Sequence, residues 1–294
     1  MECLHDLVKT IERQLQERYK DTASRQQAAW WLLARVTGKT KGELLVNATV
    51  TLLPEQHNLL KQLIHDHVEL HRPLQYIMGT VPFWELEIYV EPPILIPRPE
   101  TEEWVIGLVE QLLTLEQKHL AILDIGTGTG CISVSLAHAL PEATIWASDI
   151  SSQALALSKK NARHNHVNNI QLIHSDTFSS IPKGQKFDLI VSNPPYISEQ
   201  EWSTLDPSVT EWEDHKALRA DDKGLKIIKE IINGAHAHLK PNDEMKQRGI
   251  PQMVIEFGYK QGPAVHQLAQ QAGFHNVRLY KDMSGNDRIV YAEL

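Results

Sequence analysis

The sequence predicts an α/β protein: a seven-stranded, mainly parallel sheet preceded by an N-terminal helical bundle, the two joined by a β-hairpin. Three observations lead there. Apolar residues recur at three- and four-residue intervals through residues 3–72, apolar and polar residues alternate over 81–98, and from residue 100 onward β-rich runs alternate with helical ones. Domains are therefore expected at 1–80 for the bundle, 81–99 for the hairpin linker and 100–294 for the sheet.

In the bundle, LHDLVKTIERQLQERY (4–19), SRQQAAWWLLARVTG (24–38) and LPEQHNLLKQLIHDHVEL (53–70) carry the helical period. Thr37-Gly38 closes the second of these, because glycine enters the left-handed conformation of a C-cap without a Cβ penalty. The segment VPFWELEIYVEPPILIPR (81–98) is rich in β-branched and aromatic types and reads as a hairpin. Strands are expected at 119–126, 144–150, 170–176, 187–193, 252–258, 276–282 and 288–294, with helices between most of them. The turn containing MSGN is too short for a crossover helix, so the last two strands should pair antiparallel at the end of the sheet. Residues 241–251, PNDEMKQRGIP, read as a polar insertion before the fifth strand.

Open sheets of this kind bind ligands at the carboxyl ends of their strands. The first strand ends in Asp124-Ile125-Gly126-Thr127-Gly128-Thr129-Gly130, where alternate glycines let the backbone turn tightly and approach a ligand closely. A dinucleotide fingerprint has its third glycine one place later. The G-x-G-x-G spacing suits S-adenosyl-L-methionine, which has no pyrophosphate to seat on a helix N-terminus. Asp149 ends the second strand and Asp176 the third. A carboxylate accepts two hydrogen bonds at once, which places Asp149 for both ribose hydroxyls and Asp176 for the exocyclic amine of adenine. Ser151 or Ser152 is available to cap the next helix in place of Asp149.

The fourth strand runs into Asn193-Pro194-Pro195-Tyr196. Proline cannot donate to a sheet ladder and disfavours helix in the residue before it, so this tetrapeptide leaves the sheet as a stiff, extended turn. The Asn193 side-chain oxygen and the Pro194 carbonyl are then two acceptors aimed at one point, suited to a single NH2 group, with Tyr196 as an aromatic wall. We read Asn193 and Pro194 as the catalytic pair and Asn193, Pro194, Pro195 and Tyr196 as the substrate-binding set, a clamp for a nitrogen nucleophile.

Composition narrows the partners. The chain has 294 residues, 42% of them hydrophobic, and a formal net charge of −8; residues 1–80 carry ten Lys and Arg against nine Asp and Glu, so the acid excess lies downstream. Such a field opposes non-specific nucleic-acid binding. Cys3 and Cys131 match no metal spacing and give no disulfide framework, which suits a reducing compartment, the cytoplasm. No apolar run approaches the roughly 18 residues of a spanning helix, and the start MECLHDLVKTIERQ lacks the features of a targeting peptide. His65/His67 and His164/His166 have an i,i+2 spacing that parts the rings on a helix, and no metal is expected. A monomer without membrane or nucleic-acid partners is the expectation.

The combination of D-I-G-T-G-T-G with N-P-P-Y further on resembles the class I S-adenosylmethionine-dependent methyltransferases acting on exocyclic or amide nitrogens, whose sheet is Rossmann-like. Two further stretches resemble the release factor glutamine methyltransferase (HemK/PrmC) family: residues 72–105, with the core Ile96-Pro97-Arg98-Pro99-Glu100-Thr101-Glu102, and the bundle with its VTGKTK. The likeness covers nearly the whole chain. It implies methylation of the side-chain amide nitrogen (N5) of the glutamine in the Gly-Gly-Gln motif of peptide chain release factors, with S-adenosyl-L-homocysteine as product and the bundle serving substrate recognition. It implies cofactor contacts at Gly126, Thr127, Gly128, Thr129, Gly130, Asp149, Asp176, Thr177 and Asn193. Thr177, followed by Phe178, stands where many relatives have a bulky residue against adenine. In the stretch 209–225, Asp214 stands where relatives commonly have proline. Arg98, Glu100 and Glu102 read more simply as capping and ion-pairing residues than as substrate contacts. Two alternatives share the catalytic half: a ribosomal-protein glutamine methyltransferase and an adenine-N6 nucleic-acid methyltransferase. The acidic balance and the lack of a basic, aromatic-interleaved stretch count against the second.

Overall fold

A computed structural model describes residues 2–294, which form two compact units. The first comprises the chain up to Thr80 together with Asp206–Trp212, and the second comprises Val81–Leu205 and Glu213–Leu294.

The first unit holds α1 (Leu4–Gln14), α2 (Thr22–Thr37), α3 (Lys41–Leu45), α4 (Pro54–Val68) and α5 (Leu74–Met78), with a short antiparallel pair of β1 (Glu2–Cys3) and β2 (Thr49–Val50). In α1 the buried Leu4, Leu7, Val8 and Ile11 fall at helical spacing, so one stripe faces the core formed with Leu32, Leu33 and Leu63. Asp21 caps α2 by accepting the Ser24 N–H at 2.8 Å, and Gly38, at φ +68°, ends it with its N–H on the Ala34 carbonyl. Thr40 and Glu43 form a reciprocal capping box at α3. The returning segment carries a one-turn helix, Pro207–Thr210. Arg18 grips Asp206 with two N–H donors at 2.7 and 3.1 Å, the Trp212 indole N–H donates to the Leu70 carbonyl at 2.6 Å, and the Arg72 guanidinium lies over the Trp212 ring.

In the second unit, β3 (Thr80–Phe83) and β4 (Leu86–Tyr89) form the expected hairpin, but it ends at Tyr89 rather than at residue 98. The reason is local: Pro92 and Pro93 offer no N–H to a ladder, and the chain instead turns at Glu91–Ile94 and packs Val90, Ile94 and Ile96 inward as far as Pro99, the first residue of α6 (Pro99–Leu113).

The sheet then builds from β5 (Ala121–Ile125), β6 (Thr144–Asp149), β7 (Ile170–His174), β8 (Leu189–Ser192), β9 (Met253–Glu256), β10 (His275–Lys281) and β11 (Asp287–Glu293), in the order β10-β11-β9-β8-β5-β6-β7. Neighbours from β7 to β9 are parallel, and β11 is antiparallel to both β9 and β10. Successive side chains of a strand point to opposite faces, and the core divides accordingly: Ile122, Leu189, Val254 and Ile289 pack with α6 and α7 (Cys131–Ala139), while Leu123, Ile190, Ile255 and Val290 pack with the helices Lys226–His238 and Gly262–Gln271. The remaining helices are α8 (Ser152–His164), α9 (Glu199–Trp202), α10, the one-turn helix already placed, α11 (His215–Leu218), α12 (Lys226–His238), α13 (Asp243–Arg248) and α14 (Gly262–Gln271).

The stretch 241–251 is less polar in place than in sequence. It folds as α13, driving Met245 fully into the core, while the buried Asn242 donates to Asp188 at 2.9 Å and Glu244 accepts the N–H groups of Glu116 and Gln117. Among the described residues no helix is long and apolar enough to cross a membrane, and no group of three His, Cys, Asp or Glu is arranged to hold a metal ion.

Candidate active site

The strand order reverses at β5: β6 and β7 lie on one side and β8 and β9 on the other. In open sheets such a switch point is where a ligand crevice forms beyond the carboxyl ends, and the glycine loop leaves β5 there. Gly126, Gly128 and Gly130 all have positive φ, of +72°, +55° and +83°. At Gly126 and Gly128 a Cβ would stand in open space, which leaves bare backbone facing a cleft. At Gly130 a Cβ would lie 2.5 Å from the Ser158 hydroxyl, so this third glycine serves close packing of the loop on α8.

Asp124, beneath the loop, is fully buried and accepts the Thr127 hydroxyl at 2.7 Å; the Thr127 and Ser133 hydroxyls are 2.8 Å apart. Its other oxygen, Oδ1, is buried without a hydrogen-bond partner among the described residues. Burial is the main cause that pushes its carboxyl up to about 7, and the Asp149 charge adds to it. The motif draws attention to its glycines and hides this acid, which ties Thr127 to the strand.

Asp149 is at the tip of β6, as expected. One of its oxygens accepts the Gly128 N–H at 2.9 Å and the other the Ser151 N–H at 2.8 Å, while Ser151 itself caps α8 by accepting the Ala154 N–H. Each carboxylate oxygen has a second lone pair, so two ribose hydroxyls can still donate. Desolvation raises the Asp149 pKa. Ile150 follows, an apolar side chain 60% exposed. Asp176 is exposed, and its carboxylate takes no partner among the described residues. Thr177 has φ +45°, and Phe178 turns away from the strand ends to stack on His238 with centroids 4.4 Å apart, pressed so closely against Gly234 that a Cβ there would meet the ring at 2.4 Å.

Asn193 leaves β8 beside the glycine loop, where the Ser192 hydroxyl donates to the Ile125 carbonyl at 2.7 Å. Its amide Nδ2 donates to the Thr101 hydroxyl at 3.0 Å; Thr101 donates to Glu256 at 2.7 Å, and Glu256 also accepts the Trp104 indole N–H at 2.9 Å and the Tyr196 hydroxyl at 3.4 Å. Among the described residues, neither the Asn193 Oδ1 nor the Pro194 carbonyl accepts a hydrogen bond. The Tyr196 backbone is pinned as well: Gln261 donates to its carbonyl at 2.9 Å, and Gly224, at φ +82°, lies so close that a Cβ would stand 2.0 Å from that oxygen. Thr101, Gln261, Gly224 and Glu256 are outside the quoted tetrapeptide, and only the fold brings them to it.

Arg98 and Glu102 take structural parts. Arg98 pairs with the buried Glu213 at 2.6 Å, and Glu102 accepts the Trp84 N–H at 2.5 Å. Asp214, where proline is common, caps α11 by accepting the Lys216 N–H. These contacts fasten the chain on both sides of the clamp.

Known proteins resemble this chain over most of its length. Residues 108–208 match the family model of the methyltransferase small domain, and residues 6–79 match that of the PrmC N-terminal domain. The release factor glutamine methyltransferase of Salmonella typhimurium is 36% identical over 275 residues, covering 92% of each chain, and that of Bacillus cereus is 33% identical over 294 residues, covering 99% of each. Among solved structures, the protein-(glutamine-N5) methyltransferase (release factor-specific) from Alicyclobacillus acidocaldarius is 26% identical, covering 69% of this chain and 96% of that one, with a TM-score of 0.41.

Proposed function

Since the chain belongs to the release factor glutamine methyltransferase family, we propose that the cleft at the β5 and β8 strand ends methylates the N5 amide nitrogen of the glutamine in the Gly-Gly-Gln motif of peptide chain release factors. The enzyme is an S-adenosyl-L-methionine-dependent methyltransferase, with S-adenosyl-L-homocysteine as product. The residues present fit that cofactor: bare glycine backbone at Gly126 and Gly128, the Asp149 carboxylate for the ribose, exposed Ile150 as an apolar wall for the base, and Asp176 with the Thr177 backbone at its edge. Bound there, S-adenosyl-L-methionine supplies an electrophilic methyl group on a cationic sulfur.

The chain's own part is to hold an amide that is a poor nucleophile. The observation that carries the reading is the pair of free acceptors, Asn193 Oδ1 and the Pro194 carbonyl, on a turn whose Asn193 Nδ2, Tyr196 hydroxyl and Tyr196 carbonyl are each held by a hydrogen bond. Both N–H groups of a glutamine amide fit them, with Tyr196 alongside. As the nitrogen gives up its conjugation those N–H groups grow more acidic and bind the acceptors more strongly, so the site favours the transition state over the ground state. No general base is needed at the clamp, and the proton leaves to water afterwards. The helical unit contributes none of these groups, and we assign it to recognition of the protein substrate. A cytoplasmic monomer is the form proposed, since a release factor substrate works at the ribosome.

Asn193→Ala tests the clamp. With cofactor and release factor both saturating, its single-turnover rate should fall on the order of a hundredfold. The aspartate variant should fall between alanine and parent, with the modified glutamine mapped by mass spectrometry. A parental rate for Asn193→Ala would place the nitrogen elsewhere.

A further inference from the structure

An asparagine side chain has nearly the same shape whichever way its amide faces, so packing alone does not decide whether oxygen or nitrogen is presented to a ligand. At Asn193 the two choices are opposite in effect. Oxygen toward the cleft accepts from a glutamine NH2, whereas nitrogen toward the cleft sets donor against donor. What decides is the partner on the other side, the Thr101 hydroxyl.

That hydroxyl has one proton to give. Thr101 is 1% exposed, and its Oγ1 lies 2.7 Å from Glu256 Oε2 and 3.0 Å from Asn193 Nδ2. Glu256 is buried at the tip of β9, where the same oxygen also receives the Trp104 indole N–H, a group that only donates. Burial raises the Glu256 carboxyl while the Trp104 and Thr101 hydrogen bonds lower it, and Oε2, where both donors converge, is the accepting oxygen, so Thr101 spends its proton on Glu256 and turns a lone pair toward Asn193. Only Nδ2 can answer a lone pair.

We infer that Thr101 and Glu256 are positioning residues that fix the sense of the Asn193 amide, Glu256 by claiming the Thr101 proton and Thr101 by leaving only an acceptor for Asn193, so that Oδ1 faces the substrate nitrogen. The inference rests on the clamp reading above. It assigns work to a residue of the Pro99–Leu113 helix and one at the end of β9 that touch neither substrate nor cofactor, 155 positions apart in sequence.

Four variants test it, each assayed by single-turnover methylation of a release factor and by calorimetric titration with S-adenosyl-L-homocysteine. Thr101→Val keeps the shape and removes the relay; its rate should fall about tenfold or more, as for a small misalignment at the reacting centre, with ligand affinity within about twofold of parent. Thr101→Ser restores the hydroxyl and should restore most of the rate. Glu256→Gln should retain most of the rate too, because Trp104 can only donate and so holds the amide oxygen in place of Oε2. Glu256→Met offers no comparable acceptor and should be as slow as Thr101→Val. A Thr101→Val enzyme at parental rate while Asn193→Ala is impaired would overturn the inference and leave the clamp standing; Asn193→Ala at parental rate would instead remove the clamp itself. Serine as slow as valine, or ligand affinity lost along with rate in Thr101→Val, would show that Thr101 acts by packing and would equally overturn it.

Discussion

Asp149 accepts the backbone N–H of Gly128 at 2.9 Å, so the carboxylate assigned to the ribose also anchors the glycine loop. Cofactor binding and loop shape are thereby coupled through one side chain. Asp149→Ala should lose affinity for S-adenosyl-L-methionine by about 1.5–3 kcal/mol for each charge-assisted hydrogen bond removed, with the fold retained. Calorimetric titration measures it. Unchanged affinity would take the end of β6 out of the cofactor site.

Gly224 is far from the cleft in sequence but close to Tyr196. Gly224→Ala would place a Cβ 2.0 Å from the Tyr196 carbonyl in a backbone conformation that already penalises side chains, so the tetrapeptide has to move. The methylation rate should fall on the order of a hundredfold, by misplacement of the clamp. Cofactor affinity should hold, since the glycine loop is untouched. A variant with both properties at parental values would show that the Tyr196 backbone can shift freely.

The loop glycines should separate by function. Gly130→Ala combines a φ of +83° with a Cβ 2.5 Å from the Ser158 hydroxyl and 3.0 Å from its Cβ, and should cost about 1–3 kcal/mol in each respect. Urea denaturation gives the figure. Gly126→Ala, with open space around it, bears only the backbone penalty and should chiefly weaken cofactor binding. Equal stability losses in the two variants would contradict the packing role of Gly130.

Asp124 makes stability depend on pH. Its carboxyl is raised by burial from 3.8 to about 7, so between those values the folded chain binds more of this proton than the unfolded chain does. Its contribution is greatest below pH 3.8 and is lost as the pH rises through about 7. Asp124→Asn carries no such charge. Its urea midpoint relative to parent should therefore improve from pH 5 to pH 8. A constant difference across that range would mean that the acid titrates at its ordinary value.

Much of the fold was legible because it follows from two periods. Helical spacing marked Leu4 to Ile11 and Leu60 to Ile64, and runs such as Ile122-Leu123 and Met253-Val254-Ile255 marked strands buried on both faces. The hairpin extends to residue 98 in sequence because Ile94-Leu95-Ile96 is an apolar, mostly β-branched run as in a strand, although the prolines around it cannot join the ladder. Residues 241–251 look like a polar insertion because Asp243, Lys246, Gln247 and Arg248 do face water, while the buried Asn242, Met245, Ile250 and Pro251 carry the attachment. In the site, Gly126, Asp149 and Asn193 were legible because each ends a recognisable strand. Thr101 and Glu256 were not. Their meeting depends on where α6 crosses the end of β9, which no local pattern encodes. Phe178 misleads for the complementary reason: its neighbour in sequence is Thr177, but its neighbour in space is Gly234.

The last of the seven strands in the chain is not last in the sheet. β11 is inserted between β9 and β10, although both are made before it. On the ribosome, β9 therefore keeps one edge bare until residues 287–293 emerge, and β10 waits without its pairing partner. Glu256 is part of β9, the strand with the bare edge. A nascent chain already holding its glycine loop and its Asn-Pro-Pro-Tyr turn is still an open sheet with a sticky apolar margin. The event that completes the catalytic framework is the arrival of a segment that carries none of its motifs.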